Sequence, residues 1–353
     1  MVRLRALLVL SLLVLASCGG GVDVAVPGAD RRLLLTGAAE VDDDDGAVLR
    51  FSSAGIALRF AGRVRVLIED GVEASAHEDG GNRFAVTLDD KPVDYAGGDL
   101  VVSAPRPATL RIVKKTEALF GSARVLAVVV EEGKLWFPPP RLPRLLVLGD
   151  SWATGFGVLG DLPDASGKAP GPACPFTPDT EDVTRAWPWL VGELLDRDVV
   201  VVAWSGRGVL RNYEGDERPL TVPELWSTAA LADDVDAVVV ALGHNDFFAG
   251  PPPRDRWDAA WAAMLKELPP KPRVIAWPRI EDPPPAHVID ASWFAHDDDT
   301  GPLRADGFFL EPVLDASLGR GCVWHPGTRA QRAYATELAR LYTGGVMQPE
   351  SLQ

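Results

Sequence analysis

Residue types able to do covalent chemistry gather in four short stretches of this sequence. They are Leu148-Gly149-Asp150-Ser151-Trp152, Ala203-Trp204-Ser205-Gly206-Arg207-Gly208, Leu242-Gly243-His244-Asn245-Asp246 and Gly321-Cys322-Val323-Trp324-His325-Pro326. The first three directly follow short apolar runs, and the fourth precedes a helical pattern. A serine where a strand gives way to a helix is exposed and sits in a positive local field. Its hydroxyl still needs a general base to become a nucleophile near neutral pH. A tetrahedral oxyanion needs N–H donors aimed at it. Ser151 as nucleophile, His325 as base, and the Gly206 N–H with the Asn245 amide as donors fill every role of an acyl transfer. Asp150 and Asp246 are read as supporting residues that bind loop groups, and His244 as lining the same pocket. Each has a plainer reading. Ser151 could cap a helix, Asn245 could belong to a turn, and His325 could lie on the surface before the last helix.

The elements that would position these residues fall into two kinds. All 11 tryptophans lie at or after Trp136, so the composition changes near that point. Before it, apolar residues alternate, as in Val64-Val66-Ile68, Phe84-Val86-Leu88 and Leu110-Ile112, with turn signals such as Asp79-Gly80-Gly81-Asn82 between them. Period two with frequent turns predicts half-buried antiparallel strands, and hence a small β-sandwich over residues 31–135. Asp42–Asp45 reads as a solvated loop. A stiff Pro-rich linker follows over 136–143. Beyond it, Leu145–Leu148, Val199–Ala203, Ala237–Leu242 and Val274–Trp277 are short continuous apolar runs, the pattern of strands buried on both faces. Trp257, Trp261, Leu265 and Leu268 share one helical face, and Ala330, Tyr334, Leu338 and Leu341 another. Thr328-x-x-Gln331 reads as a capping box ahead of that last helix. Strands alternating with helices predict an α/β domain over 144–345, an open parallel sheet covered on both faces, with its site beyond the carboxyl ends of the strands.

The chain of 353 residues carries a formal net charge of −15, which excludes the basic face a nucleic-acid binder needs. No Gly-rich phosphate loop, HExxH or clustered metal ligands occur, and the chemistry above needs neither metal nor cofactor. Arg3 and Arg5 precede an apolar run, Ala6 to Ala16, of signal-peptide length. The run ends in Leu15-Ala16-Ser17-Cys18, which resembles a bacterial lipobox. That resemblance implies removal of residues 1–17, a lipid on Cys18, and an exported protein tethered to a membrane by a flexible stretch over 18–30. With Cys18 taken by lipid and export permitting oxidation, Cys174 and Cys322 could form a bridge that clamps two loops at the site. Two separate thiols are the alternative.

Gly149-Asp150-Ser151, Gly206, Gly243-x-Asn245-Asp246 and His325 stand in the order seen in SGNH, or GDSL-type, hydrolases. Thr180-Glu181-Asp182, the stretch Ala203 to Val209 with Arg211-Asn212-Tyr213, and Gly321-Cys322-x-Trp324-His325-Pro326 resemble carbohydrate esterase family two. Lys115-Thr116-Glu117 with Gly121 resembles the last strands of that family's N-terminal jelly roll. The resemblance covers residues 31–345. It implies a jelly-roll domain before an SGNH-type esterase domain, and hydrolysis of acetyl esters on polysaccharides such as xylan and glucomannan.

One departure stands out. Many members carry Asp two residues before the histidine, where this chain has Val323, and the wider superfamily's Asp falls on Cys322. The residue that usually orients the imidazole is missing from both places. Either a backbone carbonyl accepts from His325, giving a Ser–His dyad, or a carboxylate arrives from elsewhere, with Asp297, Asp306, Glu311 and Asp315 as candidates. The missing carboxylate also motivates an alternative function, a glycan-binding lipoprotein without turnover. A third option is an esterase of the same mechanism acting on bacterial cell-surface glycans or small acyl esters. Trp152 is expected in the core and Trp293 near the sugar.

Overall fold

The computed structural model describes residues 24–72, 81–163, 167–213, 221–222, 225, 235–268, 273–275, 279–280, 313–314 and 318–343. The leader, Cys18, Trp293 and the four remote carboxylates lie outside them. Among the described residues no helix is long and apolar enough to cross a membrane.

The N-terminal half is an antiparallel sheet of nine strands: β1 (Val24–Pro27), β2 (Leu33–Thr36), β3 (Ala39–Val41), β4 (Ala47–Leu49), β5 (Gly55–Val72), β6 (Phe84–Leu88), β7 (Lys91–Pro92), β8 (Leu100–Lys114) and β9 (Ser122–Trp136). Its main path runs β3-β4-β9-β5-β8-β6-β7, with β1 on β9 and β2 on β5. The long strands change partners part-way. β5 pairs with β2 over Gly55 to Leu58, then with β9 from Arg59 onward, and its register on β8 shifts between Phe60 and Gly62. Such a break bends a strand and lets one ribbon serve two layers. Alternate residues Ile56, Leu58, Phe60, Val64 and Val66 are buried, as period two requires.

Two boundaries differ from the sequence reading. Val24–Pro27 is a strand with Val26 wholly buried, paired to Ala127–Val130 of β9, so the tether cannot extend to residue 30. Its Val-Ala-Val alternation is a strand pattern too short to stand out from the small residues around it. Trp136, placed in the linker, is the last residue of β9.

The second half is built on a parallel sheet of β10 (Arg144–Gly149), β11 (Asp198–Ala203), β12 (Ala237–Ala241) and β13 (Arg273–Ile275), in the order β11-β10-β12-β13. The helices of this half are α1 (Ser151–Thr154), α2 (Trp187–Leu195), α3 (His244–Phe248), α4 (Arg254–Glu267) and α5 (Thr328–Tyr342). Pleating sends Leu146, Leu148, Val200, Val202, Val238 and Val240 to one face, where Trp257, Trp261, Met264 and Leu265 of α4 cover them. Leu145, Val147, Val199, Val201 and Val239 face the other way, against α2 and α5. Both faces are buried, which is why these strands read as continuous apolar runs.

The start of α5 corrects the capping-box reading. Thr328 is its first residue, and its hydroxyl donates to Asp161 at 3.1 Å. Gln331 turns inward, accepting from Trp187 N at 2.9 Å and donating to Trp152 O at 3.3 Å. The pattern is the same, but long-range partners claim both side chains.

The β domain closes the open edge of β11. Ser53 Oγ donates to Val199 O at 3.0 Å and accepts from Val201 N at 3.3 Å, standing in for a neighbouring strand. Gly37 N donates to Asp198 at 3.0 Å, and the buried Arg144 guanidinium donates to Gly37 O at 2.6 Å.

Candidate active site

β10 lies between β11 and β12, so the chain leaves it first to one side and then to the other. That reversal opens a crevice at the carboxyl ends of the strands. Gly149, Ala203 and Ala241 end the three strands, and the first three motif stretches begin at this crevice.

Ser151 is the first residue of α1, so its own N–H has no partner within the helix. Asp150 caps the helix, its Oδ1 accepting from Trp152 N at 3.1 Å. His325 Nε2 lies 2.9 Å from Ser151 Oγ, and its Nδ1 lies 2.9 Å from the carbonyl oxygen of Val323. A carbonyl can only accept, so Nδ1 carries the proton and Nε2 presents its lone pair to the serine hydroxyl. The ring packs against Phe156, with centroids 4.3 Å apart, and Phe156 stacks on Phe176 at 3.6 Å. This burial lowers the His325 pKa to about 4, against the pull of the Val323 hydrogen bond and of Asp150.

His325 reaches the serine on a strap fixed at several points. Gly321 N donates to His325 O at 2.8 Å, His325 N to Cys322 O at 3.1 Å, and Cys322 N to Gly157 O at 2.7 Å. Cys174 and Cys322 form a disulfide with Cα atoms 4.8 Å apart, so the loop that carries Phe176 is tied to the strap that carries His325. Gly160 has no room for a side chain here. A Cβ on it would stand 2.4 Å from Cys322 N and 2.8 Å from both sulfurs.

The donor side is built from two loops. Gly206 sits at φ +77°, and its carbonyl accepts from Tyr213 N at 2.7 Å. Asn245 is buried; its Nδ2 donates to Arg207 O at 2.8 Å and faces Asp150 Oδ2 at 3.4 Å. The first bond spends one amide hydrogen on the loop. The second contact is long enough for the other hydrogen to turn to an oxyanion. Asp246, fully buried, accepts from Val209 N at 2.9 Å, Leu210 N at 2.7 Å and Arg211 N at 2.9 Å, and so shapes the loop that follows Gly206. Burial pushes its carboxyl up to about 6, opposed by these three N–H donors.

Trp152 is buried and stacks on His244 at 5.0 Å, while His244 Nδ1 lies 3.8 Å from Asp150. Among the described residues no group of His, Cys, Asp or Glu is arranged to hold a metal ion. Several neighbours of the site stand in or near the family-like stretches of the sequence, with no role readable for them there. Tyr213 and Phe248, 45% and 54% exposed, pack at 4.2 Å beside Gly206 and Asn245. Glu117 of the β domain accepts from Ser205 N at 2.6 Å. The aromatics are ordinary in sequence, and a contact between domains leaves no periodic trace.

The open parallel sheet, its switch-point crevice, and a serine and histidine in contact across it are similar to the arrangement of SGNH-type α/β domains. In agreement, residues 147–300 match the GDSL-like Lipase/Acylhydrolase family model. The all-β domain in front narrows the architecture to that of the family two carbohydrate esterases. A solved family two carbohydrate esterase from Clostridium thermocellum, in complex with cellohexaose, matches with TM-score 0.68 at 22% identity, over 89% of this chain and 100% of that one. Cellulase/esterase CelE of Acetivibrio thermocellus is 25% identical over 356 residues, 90% of this chain and 40% of that protein. An acetylxylan esterase / glucomannan deacetylase of Cellvibrio japonicus is 25% identical over 181 residues, 45% of each. The chain thus spans less than half the length of these two curated relatives.

Proposed function

We propose that the protein removes O-acetyl groups from carbohydrate through a Ser–His dyad, as an exported lipoprotein held at a membrane by Cys18. The observation that carries the reaction is the pair of contacts on one imidazole, Nε2 to Ser151 Oγ and Nδ1 to Val323 O, both 2.9 Å. Ser151 Oγ attacks the acetyl carbonyl carbon as its proton passes to His325 Nε2. The carbonyl oxygen becomes an oxyanion that the Gly206 N–H and the Asn245 amide stabilise. His325 returns the proton to the departing sugar oxygen, leaving an acetyl ester on Ser151 and a free sugar hydroxyl. Water, deprotonated by the same nitrogen, then attacks that ester. Acetate leaves, and the serine regains its proton.

Similarity to acetylxylan esterase / glucomannan deacetylase supports a carbohydrate acetyl ester as substrate. The exposed Tyr213–Phe248 pair beside the site offers apolar faces of the kind sugar rings stack on. The lipobox-like Leu15 to Cys18 behind its apolar run supports the anchor, on the periplasmic side or at the cell surface. The non-catalytic reading drew its support from Val323, and the carbonyl of that residue supplies the missing acceptor.

The test is acetate release by the purified full chain from a chromogenic acetyl ester and from acetylated xylan and glucomannan. Ser151→Ala and His325→Ala should each lower kcat by about 10³-fold or more, the scale seen when a member of such a unit is removed. A folded parent that releases no acetate from any of them would overturn the proposal.

A further inference from the structure

Where the β domain meets the catalytic crevice, three charged residues are wholly buried: Lys114, Glu117 and Glu181. Each is tied to backbone. Lys114 Nζ donates to Arg50 O at 3.0 Å, Thr116 O at 2.6 Å and Glu117 O at 2.9 Å, using all of its donors. Glu181 Oε2 accepts from Glu117 N at 3.1 Å. The main chain of Glu117 is therefore gripped on both sides, and its side chain crosses to the other domain. There its Oε2 accepts from Ser205 N at 2.6 Å, and its Oε1 accepts from Ser205 Oγ in a shorter contact.

Burying charge is a poor route to stability, because desolvation opposes it and apolar replacements are often as stable. What the arrangement does provide is position. Ser205 directly precedes Gly206, and the Ser205–Gly206 peptide carries the N–H assigned above to the oxyanion. Gly206 itself, at φ +77°, has space on its Cβ side, where a Cβ would meet nothing nearer than Tyr213 Cβ at 3.6 Å, while its carbonyl is held by Tyr213 N. The peptide is thus held from its N-terminal side, by a residue of the other domain.

We propose that Glu117 is a positioning residue for acyl transfer: by clamping Ser205 it aims the Gly206 N–H at the developing oxyanion, which makes the β domain part of the catalytic apparatus. The inference rests on the esterase reading above. Its signature is a loss in kcat without a matching change in KM, because the interaction it supports exists mainly in the transition state.

The experiment compares Glu117→Ala, Glu117→Gln and Ser205→Ala in the full chain, by kinetics on a chromogenic acetyl ester and by thermal melting. A misplacement of about 1 Å costs on the order of 100-fold in rate. Glu117→Ala should therefore lose about that factor in kcat, with KM within about threefold. Glu117→Gln can accept from Ser205 N through its carbonyl and donate to Ser205 Oγ through its amide, so it should recover to within about tenfold of the parent. Ser205→Ala, which removes only the hydroxyl contact, should fall about tenfold in kcat with an unchanged melt; it stands in should Glu117→Ala not fold. A folded Glu117→Ala or Ser205→Ala with kcat at the parent level overturns the inference. So does a loss shared between KM and melting temperature that glutamine does not repair. If the parent turns over and needs Ser151 and His325, those outcomes count against the role of Glu117 alone. An inert parent would remove both readings together.

Discussion

Val323 holds φ 50° and ψ 38°, a left-handed conformation that β-branched residues rarely adopt. Such a residue costs on the order of 1–3 kcal/mol and persists only where its surroundings impose it. Here the strap imposes it, and the result is a carbonyl directed at His325 Nδ1. A neutral acceptor fixes the tautomer but stabilises the imidazolium less than a carboxylate would. That agrees with a His325 pKa lowered by burial to about 4. In the proposed reaction the base is the neutral ring, so kcat/KM should climb as pH rises through about 4 and hold level above it. The stability linkage has the same direction. The depressed pKa favours the fold above the ordinary histidine value of 6.5, and that contribution disappears as pH falls through about 4. Val323→Asp places an anion where relatives are expected to have one, and aspartate tolerates the left-handed region better than valine. The acid limb of kcat/KM should then move up by about 1–3 pH units. A limb that stays in place would mean the side chain at 323 does not reach the ring. That Ser151 and His325 meet is readable from type and order, because a nucleophile and its base each require particular side chains. The contact of the Val323 carbonyl with His325 is harder to read, since a backbone group has no letter of its own.

At the scale of elements, the strap over 319–327 and the loop around Cys174 behave as one unit. The disulfide joins positions 148 residues apart. A cross-link of that reach typically contributes about 2–4 kcal/mol, chiefly by restricting the unfolded chain. Replacing both Cys174 and Cys322 by alanine should therefore lower stability by about 2–4 kcal/mol in denaturant unfolding. Because Phe176 lies beside Cys174 and walls His325 through Phe156, the same variant should lose activity at temperatures well below its melt. A variant as stable and as active as the parent would show that the bridge clamps nothing. The stripe Trp257, Trp261 and Leu265 was readable as a buried helical face because periodicity records burial on one element. The capping box at Thr328 and Gln331 was misread because Asp161, Trp187 and Trp152, far off in sequence, claim those side chains. The strand at Val24–Pro27 was missed for a similar reason, since its partner β9 lies about a hundred residues further along.

For the whole molecule, the question is whether two domains fold as two. The buried core is continuous between them: Leu58, Phe60 and Leu110 of the β domain belong to the same cluster as Leu146, Val200 and Trp257 of the α/β domain. Among the described residues β11 pairs only with β10 in the parallel sheet, and a bare outer edge would be a template for association. Ser53 satisfies part of that edge, while Arg144 bridges Gly37 O at 2.6 Å and Asp198 Oδ2 at 3.5 Å. Neither half buries these groups alone, so unfolding should be a single cooperative transition. The distribution of tryptophan makes this checkable. Ten of the 11 lie beyond Trp136, the last residue of β9, so fluorescence reports chiefly the second half, whereas far-ultraviolet circular dichroism includes the strands of the first. The two melting curves should coincide. Arg144→Ala breaks a buried charged contact, a change that costs about 3–5 kcal/mol, and should shift both curves down together. If fluorescence moved while the β-strand signal stayed, the domains would be independent, and the hold of Glu117 on Ser205 would be a contact between neighbours with no shared stability behind it.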